Sequence, residues 1–113
     1  MSYIFRASTN EGYTLKTLVN LLLHIIKDAY FEIDQNEMRL RMMNNLKTIL
    51  IDIVMQASNF RKYFINAKQH LGINVDLFNK IMETVKKNDS LEFFIDEKKP
   101  QELGIKIIPK EDK

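Results

Sequence analysis

The sequence predicts an α+β domain in which two helices lie side by side on one face of antiparallel sheets. The hydrophobic period changes from about 3.6 residues, which is typical of helices, to about 2 residues, which is typical of strands, and it does so in each half of the chain. Both halves have the same predicted order of strand, helix, strand, turn and strand. This order indicates an internal repeat and a domain with approximate two-fold symmetry.

The composition fits one domain in a reducing compartment. The 113 residues are enough for a domain of ordinary size, and 45% hydrophobic residues allow a core. The formal charge of +2 is nearly balanced, so contact with nucleic acid would require a local basic stripe. The sequence contains no cysteine, which excludes a disulfide scaffold and thiolate zinc sites. It has no bilayer-spanning apolar run and no signal peptide, so we expect no membrane partner.

The first half begins with a strand predicted at residues 3–7 and an amphipathic helix predicted at residues 13–27. The polar face of this helix carries Lys16, Asn20 and Lys27. Three strands are predicted to follow, at residues 30–33, 38–42 and 49–55. In the middle strand arginine alternates strictly with methionine or leucine, so the arginines share one face.

Polar residues 34–37 favour a hairpin turn between the first two of these strands. They resemble a calcium loop only faintly, because the glycine and the distal glutamate of that motif are absent. The sequence therefore predicts a turn here and no metal site.

The second half begins with a strand predicted at residues 61–65 and a loop predicted at residues 67–71. Asn74 is a good N-cap for a second amphipathic helix, and Lys86 and Lys87 are predicted in its last turn, where the helix dipole favours cations. Two further strands are predicted, at residues 91–95 and 103–108.

The sequence offers no set of residues suited to catalysis. His24 and His70 have no evident partners for metal binding or proton transfer. There is no glycine-rich phosphate loop, no Ser-His-Asp arrangement and no pair of carboxylates on a helix face. We therefore expect no catalytic residue, no bound metal and no cofactor.

Three segments resemble the N-terminal domain of the proliferating cell nuclear antigen family, namely residues 29–33, 60–63 and 71–81. The first is similar to the strand after the family's first helix, and the second to its Phe-x-x-Tyr motif. In the third, a Gly, a branched apolar residue and an Asn precede a helix that holds a Lys-Ile pair. Gly12, Leu15 and Lys16 match the opening of the first helix. The family pattern continues from residue 5 to residue 113 without insertion or deletion.

The resemblance implies a DNA-clamp fold and a function without catalysis. In this family each subunit has two such domains and three subunits close a homotrimeric ring, with helices around the hole and sheets outside. The resemblance thus implies a polymerase processivity factor that encircles duplex DNA through weak phosphate contacts. It also implies a clamp loader, peptide-bearing polymerase and repair partners, and location in the nucleus, with a viral replication site or the cytoplasm as alternatives.

Residues that would contact DNA follow partly from the resemblance. Lys16 and Lys80 match helix positions that face DNA in the family, and helix geometry adds Asn20, Lys27 and Lys86. Where the family usually has further lysines, this sequence has Thr17, Leu23 and Glu83. The resemblance also places a partner-binding pocket wall at four positions: Met43, Lys47, Thr48 and Leu50.

We expect residues 1–113 to form one nearly complete domain that lacks the family's final strand and the connector to a second domain. Two alternative functions remain open. One is a checkpoint-type clamp subunit, which forms hetero-rings, and the other is a protein-interaction module of similar layout that does not bind DNA.

Overall fold

The computed structural model describes residues 2–22, 26–44 and 46–110, which form eight strands and two α-helices. In chain order they are β1 (Tyr3–Thr9), α1 (Gly12–Leu22), β2 (Ile26–Ile33), β3 (Glu37–Asn44), β4 (Leu50–Gln56), β5 (Lys62–Ile65), β6 (Gln69–Gly72), α2 (Val75–Glu83), β7 (Ser90–Asp96) and β8 (Gly104–Ile108). A 3₁₀ turn at Ala57–Asn59 follows β4. Neither described helix has the length and apolar character needed to cross a membrane.

The strands form two antiparallel sheets of four strands each. The first sheet has the order β5-β1-β7-β8 and the second has the order β4-β3-β2-β6. The repeats exchange their opening strands, because β1 pairs with β7 of the second repeat and β6 pairs with β2 of the first. The predicted two-fold arrangement is therefore present, and the two halves share one core.

That core lies between the helices and the inner faces of the sheets. Met38, Leu40 and Met42 of β3 are buried, whereas the intervening arginines point outward, as the alternation predicts. Phe31 of β2 joins the repeats, since its ring lies 5.9 Å from that of Phe78 in α2 and 6.3 Å from that of Phe93 in β7. The helices thus cover a continuous apolar layer.

Tyr63 on β5 connects the two sheets through a hydrogen bond. Its hydroxyl donates a hydrogen bond of 2.7 Å to the main-chain oxygen of Asp34 in the β2–β3 turn. The Asp34 carboxylate accepts bonds from the N–H groups of Asn36 and Glu37, so the predicted hairpin turn is confirmed. Burial, with the nearby charges of Asp34 and Glu37, raises the pKa of the Tyr63 hydroxyl above its ordinary value of 10.0.

The first helix is shorter than the sequence predicts. Helix α1 ends at Leu22, and Ile26 already begins β2, where it pairs with Asn44. The predicted helix to residue 27 is therefore wrong at its C-terminal end, although residues 23–25 lie outside the described part of the chain. An apolar residue at the right spacing satisfies a helix stripe and a buried strand equally well, and pairing with β3 decides between them.

Two further predictions in the second half are wrong. Residues predicted as a loop form β6, which pairs with the distant strand β2. Helix α2 ends at Glu83, so Lys86 and Lys87 lie beyond its last turn. The Asn74 side chain caps α2 as predicted, accepting from the N–H of Leu77. Each of the other predicted strands overlaps an observed strand.

Candidate nucleic-acid interface

The helices present their outer faces to solvent on the side opposite the core. In α1 the inward side is formed by Leu15 and Val19, and in α2 the equivalent places are taken by Phe78 and Met82. Among the helix residues whose burial is described, the exposed ones are Tyr13, Thr14, Thr17, Leu18, Leu21, Asp76, Leu77, Lys80 and Glu83. This surface is mixed, and its positive charge must come from a few lysines.

Lys80 is an available cation on this face. It lies on the face of α2 opposite the core and is exposed, and its ammonium group forms no hydrogen bond or ion pair with any residue in the described ranges. Its ammonium group therefore keeps all three of its hydrogen-bond donors for water or a ligand.

Lys16 has a different environment. Its ammonium donates to the main-chain oxygens of Glu83 and Val85, at 3.1 and 2.7 Å, and lies 5.7 Å from the centre of the Tyr13 ring. The last carbonyl groups of a helix lack partners within the helix and carry partial negative charge. Lys16 thus caps the end of α2 from α1, which leaves one of its three donors free.

The other residues predicted to face DNA lie in three different places. Asn20 lies one turn after Lys16 on α1 and is half-buried. Lys86 is exposed just beyond α2, in a turn held by a 2.8 Å bond from its N–H to the Asp89 carboxylate. Lys27 belongs to β2, so it does not share the face of α1 with Lys16, and that prediction is corrected.

Exposed Tyr13 was missed by the sequence analysis. Its position one turn before Lys16 would have pointed to a contact between the aromatic ring and the ammonium group.

The predicted partner surface forms around the β3–β4 connection. The Asn44 side chain accepts hydrogen bonds of 2.9 and 3.0 Å from the N–H groups of Thr48 and Ile49, and it donates one of 2.9 Å to the Thr48 hydroxyl. Lys47 has a φ of 57°, which lets the chain reverse tightly. Met43 pairs with Leu50 across the two strands. The four predicted residues therefore come together at one end of the second sheet.

This surface is more apolar than predicted, because Leu46 and Ile49 are also exposed, by 80% and 41% respectively. Leu50 is 57% exposed. Exposed apolar residues that lie together in one patch are typical of an interaction surface. Sequence reasoning missed Leu46 and Ile49, and their apolar character within a polar turn was the available signal.

Two grooves flank the helices and differ in size. The groove beside α2 and β8 has a volume of 430 Å³, and its apolar lining includes Leu77, Ile81 and Ile105. The equivalent space beside α1 has a volume of 210 Å³ and is closed by residues of and near β4, including Ile53 and Met55. Among the residues that the structure describes, no strand covers the outer edge of β8.

The chain is similar to curated proteins named DNA polymerase sliding clamps. The DNA polymerase sliding clamp of Thermococcus sibiricus is 32% identical over 74 residues, which cover 66% of this chain and 30% of the relative. That of Nitrosopumilus maritimus is 29% identical over 93 residues, covering 82% of this chain and 38% of the relative. This chain therefore spans less than half the length of these curated relatives.

The fold is also found in a solved structure. The crystal structure of PCNA from Thermococcus kodakaraensis superposes with a TM-score of 0.70 at 15% identity, covering 93% of this chain and 46% of that one. A family model described as "Proliferating cell nuclear antigen, N-terminal domain" matches residues 4–112. Because that match extends over nearly the whole sequence, the chain belongs to the proliferating cell nuclear antigen N-terminal domain family.

Proposed function

We propose that this chain acts as the N-terminal domain of a DNA polymerase sliding clamp, which helps to encircle duplex DNA and tethers replication and repair proteins. The observation that carries the proposal is the outer face of the helix pair, where Lys80 has a free ammonium group on a clamp-family fold. The names of the curated relatives support it. In this role the chain is a scaffold and not an enzyme.

The charges of the helix face suit weak contacts with phosphates. Lys16, Lys80, Lys86 and Lys87 lie on or next to the helices, together with the carboxylates of Asp76 and Glu83. Such a surface gives sequence-independent attraction that salt weakens. A closed ring retains DNA by topology, so weak contacts are sufficient.

The lysines and the asparagine of this face would contribute to DNA binding in different ways. Lys80 contacts phosphate directly, and Lys16 contributes its remaining donor while holding the two helices together. Asn20 and Lys86 add a hydrogen bond and a charge at the ends of the same face. Lys27 is left out, because it lies in β2.

The proposed partners dock on the outside of the domain. The apolar surface around Met43, Lys47, Thr48 and Leu50 would receive peptides from the polymerase and from other clamp-binding proteins, and a clamp loader would open the ring. The whole protein would associate with itself to close a homotrimeric ring. We place this activity on DNA in the nucleus, with a viral replication site or the cytoplasm as alternatives.

The test is a nuclear magnetic resonance titration of the isotope-labelled chain with a short DNA duplex at low salt. We expect shift changes concentrated on α1, α2 and the turn after α2, which weaken as salt is added. Lys80→Glu should abolish most of them, while Lys99→Glu, in the exposed β7–β8 turn, should leave them unchanged.

Two results would contradict the proposal. The absence of any shift at low salt would favour an interaction module that does not bind DNA. Changes confined to the outer faces of the sheets would show that DNA does not meet the helices. Mass measurement of the whole protein would separate a homotrimer from a checkpoint-type hetero-ring, since only the former assembles from one chain.

A further inference from the structure

Among the strands that the structure describes, none pairs with the outer edge of β5 in the first sheet. Strand β5 stands at the end of the order β5-β1-β7-β8. The N–H of Asn66 donates to the oxygen of Ile4, in register with the pairing of Phe5 and Ile65. Backbone groups alternate in direction along a strand, so those of Tyr63 and Ile65 point away from β1. These groups are available to pair with an added strand.

The side chains of β5 divide between the two faces of the sheet. Tyr63 and Ile65 pack against the core, whereas Lys62 and Phe64 are exposed on the outer face. Phe64 is 52% exposed. A lysine on a short edge strand usually protects against pairing, but a large exposed aromatic residue on the same edge favours contact.

Exposed cations lie on and beside this edge, whereas the carboxylates nearest to it belong to Asp34 and Glu37 of the β2–β3 turn. Residues 53–75 contain no aspartate or glutamate, and Arg61, Lys62 and Lys68 are all exposed. None of these three forms an ion pair with a carboxylate in the described part of the chain. An approaching chain with negative charge would therefore find cations without partners.

An ion pair lies beside the exposed ring. Arg6 pairs with Phe64 across β1 and β5. Its guanidinium is held 2.8 Å from the Glu92 carboxylate and 5.2 Å from the centre of the Tyr3 ring. An open recess of 370 Å³ continues from Ile65 to Lys68 and is lined on its other side by residues 34–36 of the β2–β3 turn, including Asp34.

We propose that the free edge of β5 binds an acidic, extended peptide segment of a partner protein, which adds to the first sheet as a fifth strand. Main-chain bonds to Tyr63 and Ile65 would supply affinity, and side chains would supply specificity. Residues on one face of a strand recur every second position. The segment would thus place an apolar residue opposite Phe64 and a carboxylate two positions away, opposite Lys62.

The position opposite Phe64 is favourable for an apolar contact. The backbone groups of Phe64 point to β1, so the peptide residue facing it would form a non-hydrogen-bonded pair. Side chains approach each other most closely in such pairs. This surface is separate from both the helix face and the β3–β4 surface.

The observations favour an acidic peptide over two other occupants. Single-stranded nucleic acid stacks successive bases on several open rings, but Tyr3 and Phe94 pack against each other with centroids 5.9 Å apart, and Arg6 covers Tyr3. A second copy of this chain would bring the lysines and arginines of two β5 edges together, and like charges repel.

The test uses this chain and a short fluorescent peptide. Threonine occupies every second position of the peptide, and the positions between the threonines are glutamate, phenylalanine and glutamate, in that order. Fluorescence anisotropy should show saturable binding that weakens with added salt. Phe64→Ser and Lys62→Glu should each weaken it by about tenfold or more. Matched controls are Tyr13→Ser, another exposed aromatic residue, and Lys99→Glu, another exposed lysine, which should stay within about twofold. Thermal unfolding of every variant separates lost binding from lost folding.

Control peptides complete the design. Lysine in place of glutamate should abolish binding, because the charges then repel. Proline in place of threonine should abolish it as well, because the N–H donors that face β5 are removed. Either peptide binding as well as the acidic one would overturn the proposal.

Other results would identify a different occupant and would also overturn the proposal. Oligothymidylate that binds more tightly than the acidic peptide would indicate nucleic acid. A concentration-dependent dimer that Phe64→Ser disrupts would indicate a second copy. Absence of peptide binding, with all variants folded, would show that Lys62 only protects the edge.

Discussion

The two repeats differ at the outer edge of their sheets. In the first repeat, β4 lies along β3 and closes the side of α1, leaving a space of 210 Å³. In the second repeat, no described strand lies along the outer edge of β8, and the groove beside α2 has a volume of 430 Å³. The same helix-on-sheet unit thus presents a closed flank in one half and an open one in the other. An added strand, and not the helix itself, determines whether the flank is covered.

The largest effect should come from the residue that both repeats share. Phe31→Ala would leave a cavity between Phe78 and Phe93 and should lower the free energy of unfolding by about 3–5 kcal/mol. Urea unfolding followed by circular dichroism measures this loss. The exposed Phe64→Ala is the matched control and should cost less than about 0.5 kcal/mol. Equal losses would mean that Phe31 does not join the two repeats.

Substitution of the helical lysine should affect a different property in each repeat. Lys16 should matter for stability, and Lys80 should matter for DNA binding. Lys16→Met removes the bonds to the oxygens of Glu83 and Val85 and should lower the free energy of unfolding by about 1–2 kcal/mol. Lys80→Met should change it by less than about 0.5 kcal/mol. In duplex DNA binding, Lys80→Met should reduce the salt slope by about 1.

Unfolding and binding titrations on both lysine variants check this contrast. A loss of stability in Lys80→Met as large as that in Lys16→Met would remove the distinction between a capping lysine and a free one.

The connection between the two sheets should be sensitive to alkaline pH. Tyr63→Phe removes the bond to the Asp34 oxygen and should cost about 0.5–1.5 kcal/mol near neutral pH. The raised pKa of Tyr63 means that its stabilisation is complete below the unfolded value of 10.0 and is lost as the pH rises above it.

Urea unfolding of both proteins between about pH 8 and pH 11 tests this dependence. The difference between wild type and Tyr63→Phe should shrink toward the alkaline end. A constant difference would mean that the hydroxyl of Tyr63 does not ionise on unfolding.

The smallest effect should come from β4, which has no counterpart in the second repeat among the described residues. Arg41 donates to the two Asp52 carboxylate oxygens at 2.8 and 3.3 Å, and this bond lowers the pKa of the Asp52 carboxyl below 3.8. Asp52→Asn should lower the urea midpoint slightly near neutral pH. Its stabilising contribution is present above pH 3.8 and is lost as the pH falls below it. A larger difference in acid than at neutral pH would contradict this account.

Local patterns predicted much of this fold. The alternation in β3, the cap at Asn74 and the hairpin turn at Asp34 depend on near neighbours, and each is present. Strand β6 was missed because its partner β2 lies far away in the sequence. The end of α1 was misplaced because Ile26 fits a helix stripe as well as a strand.

The candidate site was less predictable. Sequence reasoning placed Lys16 and Lys80 on helices, but it could not distinguish a lysine that caps the neighbouring helix from one with a free ammonium group. That difference depends on how the helices approach each other in space. The four residues predicted to bind partners do come together at the β3–β4 connection, and their role stays a prediction. The additional exposed apolar residues beside them became evident only in the folded loop.

Because the two repeats exchange their opening strands, cutting the chain between them should not separate them. Each half of the sequence holds a strand that completes the other half's sheet, because β1 pairs with β7 and β6 pairs with β2. Neither half could therefore bury its apolar surface alone. A protease cut in the 3₁₀ turn between β4 and β5 should leave two fragments that remain associated, and the separated fragments should regain structure only when they are mixed.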